Sequence, residues 1–163
     1  MNNNYVKVAL YAYPTLKTIG EDYQEHIKNM AILSYRGNKS AEELVEKIVE
    51  TILEKEKLER LKAVVETVLG KLSEEERALI AIRYFGGARK MKNALPVDGW
   101  SESKYFRKQA RLFNKVCAIV KGTGLTEDVF EREYASIDIF ERVCKFVADG
   151  KIGASEKKWL KGD

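Results

Sequence analysis

The chain has 163 residues, of which 45% are hydrophobic and 33% are charged, and its net charge is +4. This length and composition predict a globular protein with one domain, or one domain and a helical appendage. Short apolar runs exclude a transmembrane helix, no signal-peptide pattern is present, and two cysteines are too few for a disulfide framework, so we expect a cytoplasmic protein with no membrane partner.

The first part of the chain is predicted to form helices. Residues 5–13 fit either a short strand or a helix, and we favour a helix because no later segment offers a strand to pair with. Pro14 is expected to end that segment, and Thr15 is expected to cap a second helix that ends at Gly37. Ser40 opens the next helix with a capping box.

The helix that follows Ser40 carries two apolar stripes on different faces. The first is Ala41, Val45, Ile48 and Ile52, and the second is Leu58, Leu61, Val65, Val68 and Leu72. Residues 54–57, between them, contain no apolar side chain. Either the helix breaks there, or one long helix packs against different partners with its two halves. The second stripe spans only two heptads, which favours packing within the domain over a coiled coil.

The middle of the chain contains two capped helices. A capping box at Ser73 opens the first, and a Gly-Gly pair ends it. A short basic helix at 88–95 and a turn at 96–99 follow. Trp100 then precedes Ser101, which is expected to cap a long helix at 101–121.

The C-terminal part is also predicted to be helical. Thr126 is a plausible N-cap, helical spacing continues to Gly150, and a last turn is expected at 155–160. The apolar positions are Phe130, Tyr134, Ile137, Phe140, Val143, Cys144 and Val147. The predicted fold class is therefore all-α, a multi-helix domain.

Positive charge is concentrated in one quarter of the chain. Residues 83–121 hold 10 basic and 2 acidic side chains, a net charge of +8, whereas residues 1–82 and 122–163 each have a net charge of −2. Helix 101–121 places five cations within an arc of about 100°: Lys104, Arg107, Lys108, Arg111 and Lys115. The predicted apolar face opposite them is Phe106, Ala110, Phe113, Cys117 and Val120. This segregation predicts an anionic partner.

The order helix, Gly-Gly, short helix, turn and capped basic helix is that of a helix-turn-helix. Residues 58–121 also resemble region four of bacterial sigma factors and related sigma-like phage and plasmid regulators. The resemblance lies in Leu72-Ser73 with the acidic turn after it, Arg77, Arg83-Tyr84-Phe85-Gly86, and the basic helix after Ser101. It implies a four-helix unit that binds promoter DNA and commonly touches a flap element of RNA polymerase. Nothing in residues 1–57 resembles region two, so the resemblance implies a sigma-like regulator and not a complete sigma factor.

These observations divide the chain into an N-terminal helical segment at 1–57 for interaction or dimerisation, a DNA-binding domain at 58–121 and a C-terminal helical extension at 122–163. The predicted function is sequence-specific binding of double-stranded DNA by a transcriptional regulator, with helix 101–121 in the major groove. The candidate base contacts are Ser101, Ser103, Lys104, Tyr105, Arg107 and Lys108, and the candidate phosphate contacts are Arg111 and Lys115. Ser101 is expected to act mainly as the N-cap, and Tyr105 fits either a contact or half-buried packing. Three further basic residues either extend this surface or form a solvated turn: Arg89, Lys90 and Lys92.

Two alternatives remain open. The first is a non-catalytic adaptor that uses helix 40–72 for dimerisation and the basic helix to grip an acidic partner; exposure of the first apolar stripe would favour it. The second is an RNA target, which is disfavoured because an all-α chain offers no stacking sheet. With His26 as the single histidine and no catalytic triad, phosphate loop or ligand cluster, the sequence predicts neither an enzyme nor a cofactor or metal.

Overall fold

The computed structural model describes residues 3–35, 40–86 and 100–148, and throughout these ranges the regular elements are helices. They are α1 (Asn4–Tyr35), α2 (Ala41–Gly70), α3 (Glu74–Tyr84), α4 (Glu102–Gly122), α5 (Glu127–Glu133) and α6 (Asp138–Ala148). The all-α prediction is confirmed for this part of the chain. None of these helices is both long and apolar enough to span a membrane. The predicted cap at Gly37, short helix at 88–95, turn at 96–99 and last turn at 155–160 lie outside the described residues.

The chain divides into two compact units. One comprises residues 13–63, and the other comprises residues 1–12 together with residues 64–163. Both α1 and α2 contribute to each unit, because the boundaries fall within these two helices.

The unit at 13–63 is an antiparallel pair of helical segments. Gly20 lies beside Glu59, and three residues later the Tyr23 hydroxyl donates to the Glu54 carboxylate at 2.9 Å. Residue numbers therefore increase along α1 while those of the facing residues in α2 decrease, so the two segments run antiparallel. The buried apolar side chains of this unit are Tyr13, Leu16, Met30, Leu44, Leu58 and Leu61.

Pro14 lies inside α1 and does not end a helix. The predicted break at Pro14 and the predicted N-cap at Thr15 are therefore wrong, although the preference for helix at residues 5–13 is confirmed. Proline removes one backbone hydrogen bond and costs about 3 kcal/mol inside a helix. Buried residues flank it on both sides, with Leu10, Ala12 and Tyr13 before it and Leu16 after it. Burial of each large apolar side chain contributes about 1.5–3 kcal/mol, so packing of the flanking turns outweighs the loss at Pro14.

α2 is continuous through residues 54–57, so the helix does not break there, and the alternative of one long helix is the one that the structure has. Its second apolar stripe is buried, with Leu58, Leu61, Val65 and Val68 each at most 2% exposed. The first stripe behaves differently, because Val45 and Ile52 are exposed and Ile48 is half-buried. The side chain of Ala41 lies outside the described part.

The C-terminal segment contains two helices, where the apolar spacing predicted one that ran to Gly150. A turn at 134–137 separates α5 from α6. Thr126 caps α5 as predicted, since its hydroxyl accepts a hydrogen bond from the Val129 N–H at 3.3 Å. The break brings three rings together: Phe130, Tyr134 and Phe140 are buried, and their ring centres are 5.7–5.8 Å apart. Mutual packing of these rings outweighs the continuity that helical spacing alone predicted.

Candidate nucleic-acid interface

α4 begins with a side-chain cap at Ser101. The Ser101 hydroxyl accepts a hydrogen bond from the Lys104 backbone N–H at 3.1 Å, and the backbone of Ser101 is extended. This bond satisfies one of the free N–H groups of the first turn, and it confirms the predicted N-cap. Ser101 is therefore occupied in starting the helix, while its side chain remains at the surface.

The buried side of α4 differs from the predicted one by about one residue. The buried residues are Tyr105, Gln109, Leu112, Val116, Cys117 and Val120. Of the five predicted apolar-face residues, Cys117 and Val120 are buried, Phe106 and Phe113 are half-buried, and Ala110 is exposed. The prediction missed the stripe because Gln109 interrupts it with a polar side chain.

Gln109 is buried because its amide group is hydrogen-bonded inside the unit. It donates to the Leu79 backbone carbonyl in α3 at 2.9 Å and to the Tyr105 hydroxyl at 3.0 Å. A buried polar group is tolerated when it is paired in this way. The same side of α4 is held by the Arg83 guanidinium, which lies 5.8 Å from the centre of the Phe106 ring. These contacts fix α4 against α3.

The acidic first turn of α3 contacts two of the predicted DNA-binding cations. The Lys108 Nζ lies 2.7 Å from Glu75 Oε1, and the Lys115 Nζ lies 3.0 Å from Glu76 Oε1. Glu76 also completes the capping box at Ser73, whose predicted form is confirmed in both directions. The pKa of Glu76 lies below its ordinary value, first because the Ser73 backbone N–H donates to it and also because Lys115 pairs with it.

Trp100 lies directly before the cap and is half-buried. The Lys108 Nζ is 4.6 Å from the centre of an indole ring, and the Lys104 Nζ is 5.4 Å from it. Both distances are within the range of a cation–π contact, which contributes about 0.5–1 kcal/mol at exposed sites. Trp100 therefore holds the first two lysines of α4 close together.

The outermost row of α4 comprises Ser103, Arg107, Arg111 and Asn114, all of which are exposed. Their spacing of four, four and three residues places them along one side of the helix. Within the part of the chain that the structure describes, Arg107 and Arg111 make no hydrogen bond or ion pair. Asn114 was not among the predicted contacts; its signal was its position seven residues after Arg107. Arginine and asparagine are the side chains that pair bidentately with guanine and adenine.

The predicted site residues therefore fall into separate groups. Ser103, Lys104, Arg107 and Arg111 are exposed and form no ion pair with a described residue, whereas Lys108 and Lys115 are paired with carboxylates. Tyr105 has 0% exposure, so of the two alternatives left open for this residue the structure favours packing, and the side chain is fully buried and not half-buried. The remaining three predicted residues lie outside the described residues: Arg89, Lys90 and Lys92.

Among the described residues, the thiols and carboxylates form no metal site. Burial raises the pKa of Cys117 and of Cys144, which leaves both thiols protonated and poorly nucleophilic at neutral pH. In the ranges 3–35, 40–86 and 100–148, no three histidine, cysteine or acidic side chains are grouped to hold a metal ion.

A comparison with protein-family models, curated proteins and solved structures finds no match for this chain.

Proposed function

We propose that the protein binds double-stranded DNA sequence-specifically through α4 and acts as a transcriptional regulator. The single observation that carries the proposal is the outer row of α4, where Arg107 and Arg111 are exposed and have no ion pair or hydrogen bond to any described residue, on a helix whose other side is buried against α3. The major groove admits an α-helix, and its base edges are read by side chains of these types. The resemblance to sigma region four supports the same role and adds RNA polymerase as a proposed partner.

The charge of the exposed surface sets the expected dependence on salt. Each lysine or arginine that neutralises a DNA phosphate lowers the slope of log affinity against log salt by about 0.9. If Lys104, Arg107 and Arg111 all contact phosphates, the slope is about −3, and each arginine that contacts a base instead makes the slope shallower by about 0.9. If the basic residues at 89, 90 and 92 also reach phosphates, the slope becomes about −5.

A mobility-shift titration of the full chain at several salt concentrations tests the proposal. The double substitution Arg107→Glu and Arg111→Glu is expected to abolish binding. The matched control is Arg132→Glu with Arg142→Glu, because both arginines are exposed on helices of the same unit and the change in net charge is identical. Circular dichroism of both variants is the check that they fold. Equal binding by the two variants, or no shift by the unsubstituted chain at micromolar concentration, would contradict the proposal.

A second candidate function is protein–protein interaction through the solvent face of α2. Four apolar residues are exposed along it, Val45 at 53%, Val49 at 49%, Ile52 at 38% and Leu53 at 53%. Their spacing of four, three and one residues forms a continuous stripe, and contiguous exposed apolar surface commonly marks an interaction site. A second copy of the chain is the simplest partner, since most soluble oligomers are homo-oligomers.

Light scattering coupled to size-exclusion chromatography tests this second function. The unsubstituted chain is expected to elute as a dimer at tens of micromolar, and Val49→Glu with Leu53→Glu is expected to elute as a monomer. Lys47→Glu is the control, because it changes the charge of an exposed residue on another side of the same helix. A monomeric unsubstituted chain at all concentrations would exclude self-association through this stripe.

A further inference from the structure

We infer that Glu75 and Glu76 hold Lys108 and Lys115 away from the DNA backbone and so lower the sequence-independent affinity of α4. The inference concerns the regulation of the proposed DNA-binding surface, and it rests on that proposed function. Its physical basis is that a carboxylate and a phosphate compete for the same ammonium group.

The pair between Glu75 and Lys108 is short and has a second contact. The Lys108 ammonium lies 2.7 Å from the Glu75 carboxylate and 4.6 Å from the centre of an indole ring of Trp100. The lysine side chain is 35% exposed, less than that of Lys115 at 48%. Its ammonium group is therefore held from two sides.

The pair between Glu76 and Lys115 is positioned by the helix cap. The Ser73 backbone N–H donates to Glu76 Oε1 at 3.0 Å, and the Glu76 backbone N–H donates to the Ser73 hydroxyl at 3.2 Å. The carboxylate then accepts from Lys115 with both oxygens, at 3.0 and 3.1 Å. Because the capping box orients this carboxylate before any contact with α4, the pair loses less side-chain entropy than a free surface pair.

The neighbouring acid Glu74 provides a built-in comparison. It occupies the same first turn of α3 and is exposed, and within the described residues it pairs with no cation. The helix dipole favours all three acids in this turn, so it does not explain why two of them face α4. Among the acids that the structure describes, only Glu75 and Glu76 form ion pairs with cations of the proposed surface.

The consequence concerns selectivity between DNA sequences. Phosphate contacts add affinity on every sequence, whereas base contacts distinguish one sequence from another. Neutralising Lys108 and Lys115 lowers binding to all duplexes, while Arg107 and Arg111 remain exposed for base contacts. The acidic turn of α3 thus raises the share of the binding free energy that comes from base contacts.

Three single substitutions in the full chain test the inference: Glu75→Gln, Glu76→Gln and the control Glu74→Gln. All three change the net charge by one, and glutamine at 76 keeps a side chain that can complete the capping box. The measurements are affinity for a duplex of arbitrary sequence and its salt slope, with thermal melting to verify folding. Each freed lysine is expected to steepen the slope of log affinity against log salt by about 0.9. Over the tenfold range from 1 M to 0.1 M salt, this change corresponds to about eightfold tighter binding. Glu74→Gln is expected to leave the slope unchanged.

The outcomes separate this inference from the proposed function. If the unsubstituted chain binds DNA but Glu75→Gln and Glu76→Gln behave like Glu74→Gln, the inference is wrong and DNA binding stands. Tighter binding without a steeper slope also overturns it, because Lys108 and Lys115 would then already contact phosphate in the unsubstituted chain. If neither the unsubstituted chain nor any variant binds, both are wrong.

Discussion

Gln109 is the buried side chain whose replacement most directly tests how α4 is held. Gln109→Ala removes the hydrogen bonds to the Leu79 carbonyl and to the Tyr105 hydroxyl. Each is worth about 1 kcal/mol in net stability. Loss of a buried methylene adds about 0.8 kcal/mol, and the cavity that remains adds to it. We therefore expect the free energy of unfolding to fall by about 3 kcal/mol.

Urea and thermal denaturation followed by circular dichroism measure this change. For a chain of this size, a loss of about 3 kcal/mol corresponds to a fall in Tm of about 6–12 °C. Gln109→Leu keeps most of the side-chain volume and removes only the hydrogen bonds, so it is expected to cost less than Gln109→Ala. Asn114→Ala, on the exposed side of the same helix, is expected to stay within about 0.5 kcal/mol of the unsubstituted chain.

A Gln109→Ala variant as stable as Asn114→Ala would refute the reasoning, because it would show that Gln109 does not bridge α3 and α4 in solution. If Gln109→Leu is as unstable as Gln109→Ala, the whole loss of stability comes from the hydrogen bonds. The two variants together therefore separate packing from polar pairing at this position.

Three further predictions concern stability. Because the pKa of Glu76 is lowered in the folded chain, its carboxylate is stabilising above its ordinary pKa of 4.5, and that contribution is lost as pH falls through the lowered value; the stability difference between the unsubstituted chain and Glu76→Gln should shrink below about pH 4.5 in acid titrations of urea unfolding. Pro14→Ala should stabilise the chain by about 1–3 kcal/mol, since it restores a backbone donor at an exposed position of α1, and an unchanged or lower Tm would contradict this. Gly124→Ala should cost about 1–2 kcal/mol because the φ angle of Gly124 is +94°, whereas Gly122→Ala, within α4, should be neutral or stabilising in the same urea titration.

Three helix starts could be predicted from the sequence because they depend on chemistry within four residues, whereas the start predicted at Thr15 is wrong. The caps at Ser73, Ser101 and Thr126 all have the predicted hydrogen bonds. Each bond joins a hydroxyl to a backbone N–H of the same turn, so no distant residue is needed to form it. The all-α class followed from the same local signals and from helical spacing.

The orientation and continuity of the helices could not be predicted, because they depend on distant partners. Phe106 and Phe113 were expected in the core as aromatic residues, but the structure turns α4 so that the polar Gln109 is buried in the stripe. The continuity of α1 at Pro14 has the same cause. Packing on both sides of Pro14 keeps the helix intact, although proline is a local signal for a break.

The electrostatics of the candidate surface depend on a contact between helices that the sequence does not reveal. Counting charges along α4 identified the cations correctly, and the helix dipole accounted for the acids of α3. Only the packing of α3 on α4 shows that Glu75 and Glu76 meet Lys108 and Lys115. A net charge taken from the sequence therefore overstates the number of cations available to an anionic partner. It also understates the share of the available positive charge that Arg107 and Arg111 supply.

The two candidate functions use surfaces that have no residue in common. The outer row of α4 belongs to the unit of residues 1–12 and 64–163, whereas the exposed stripe of α2 belongs to the unit at 13–63. Self-association through the stripe would supply two copies of α4, and helix-turn-helix dimers bind half-sites one helical turn apart or multiples of that distance. A selection of bound duplexes from a random-sequence pool would test this: paired half-sites would join the two proposals into one regulator, and single half-sites would keep them separate.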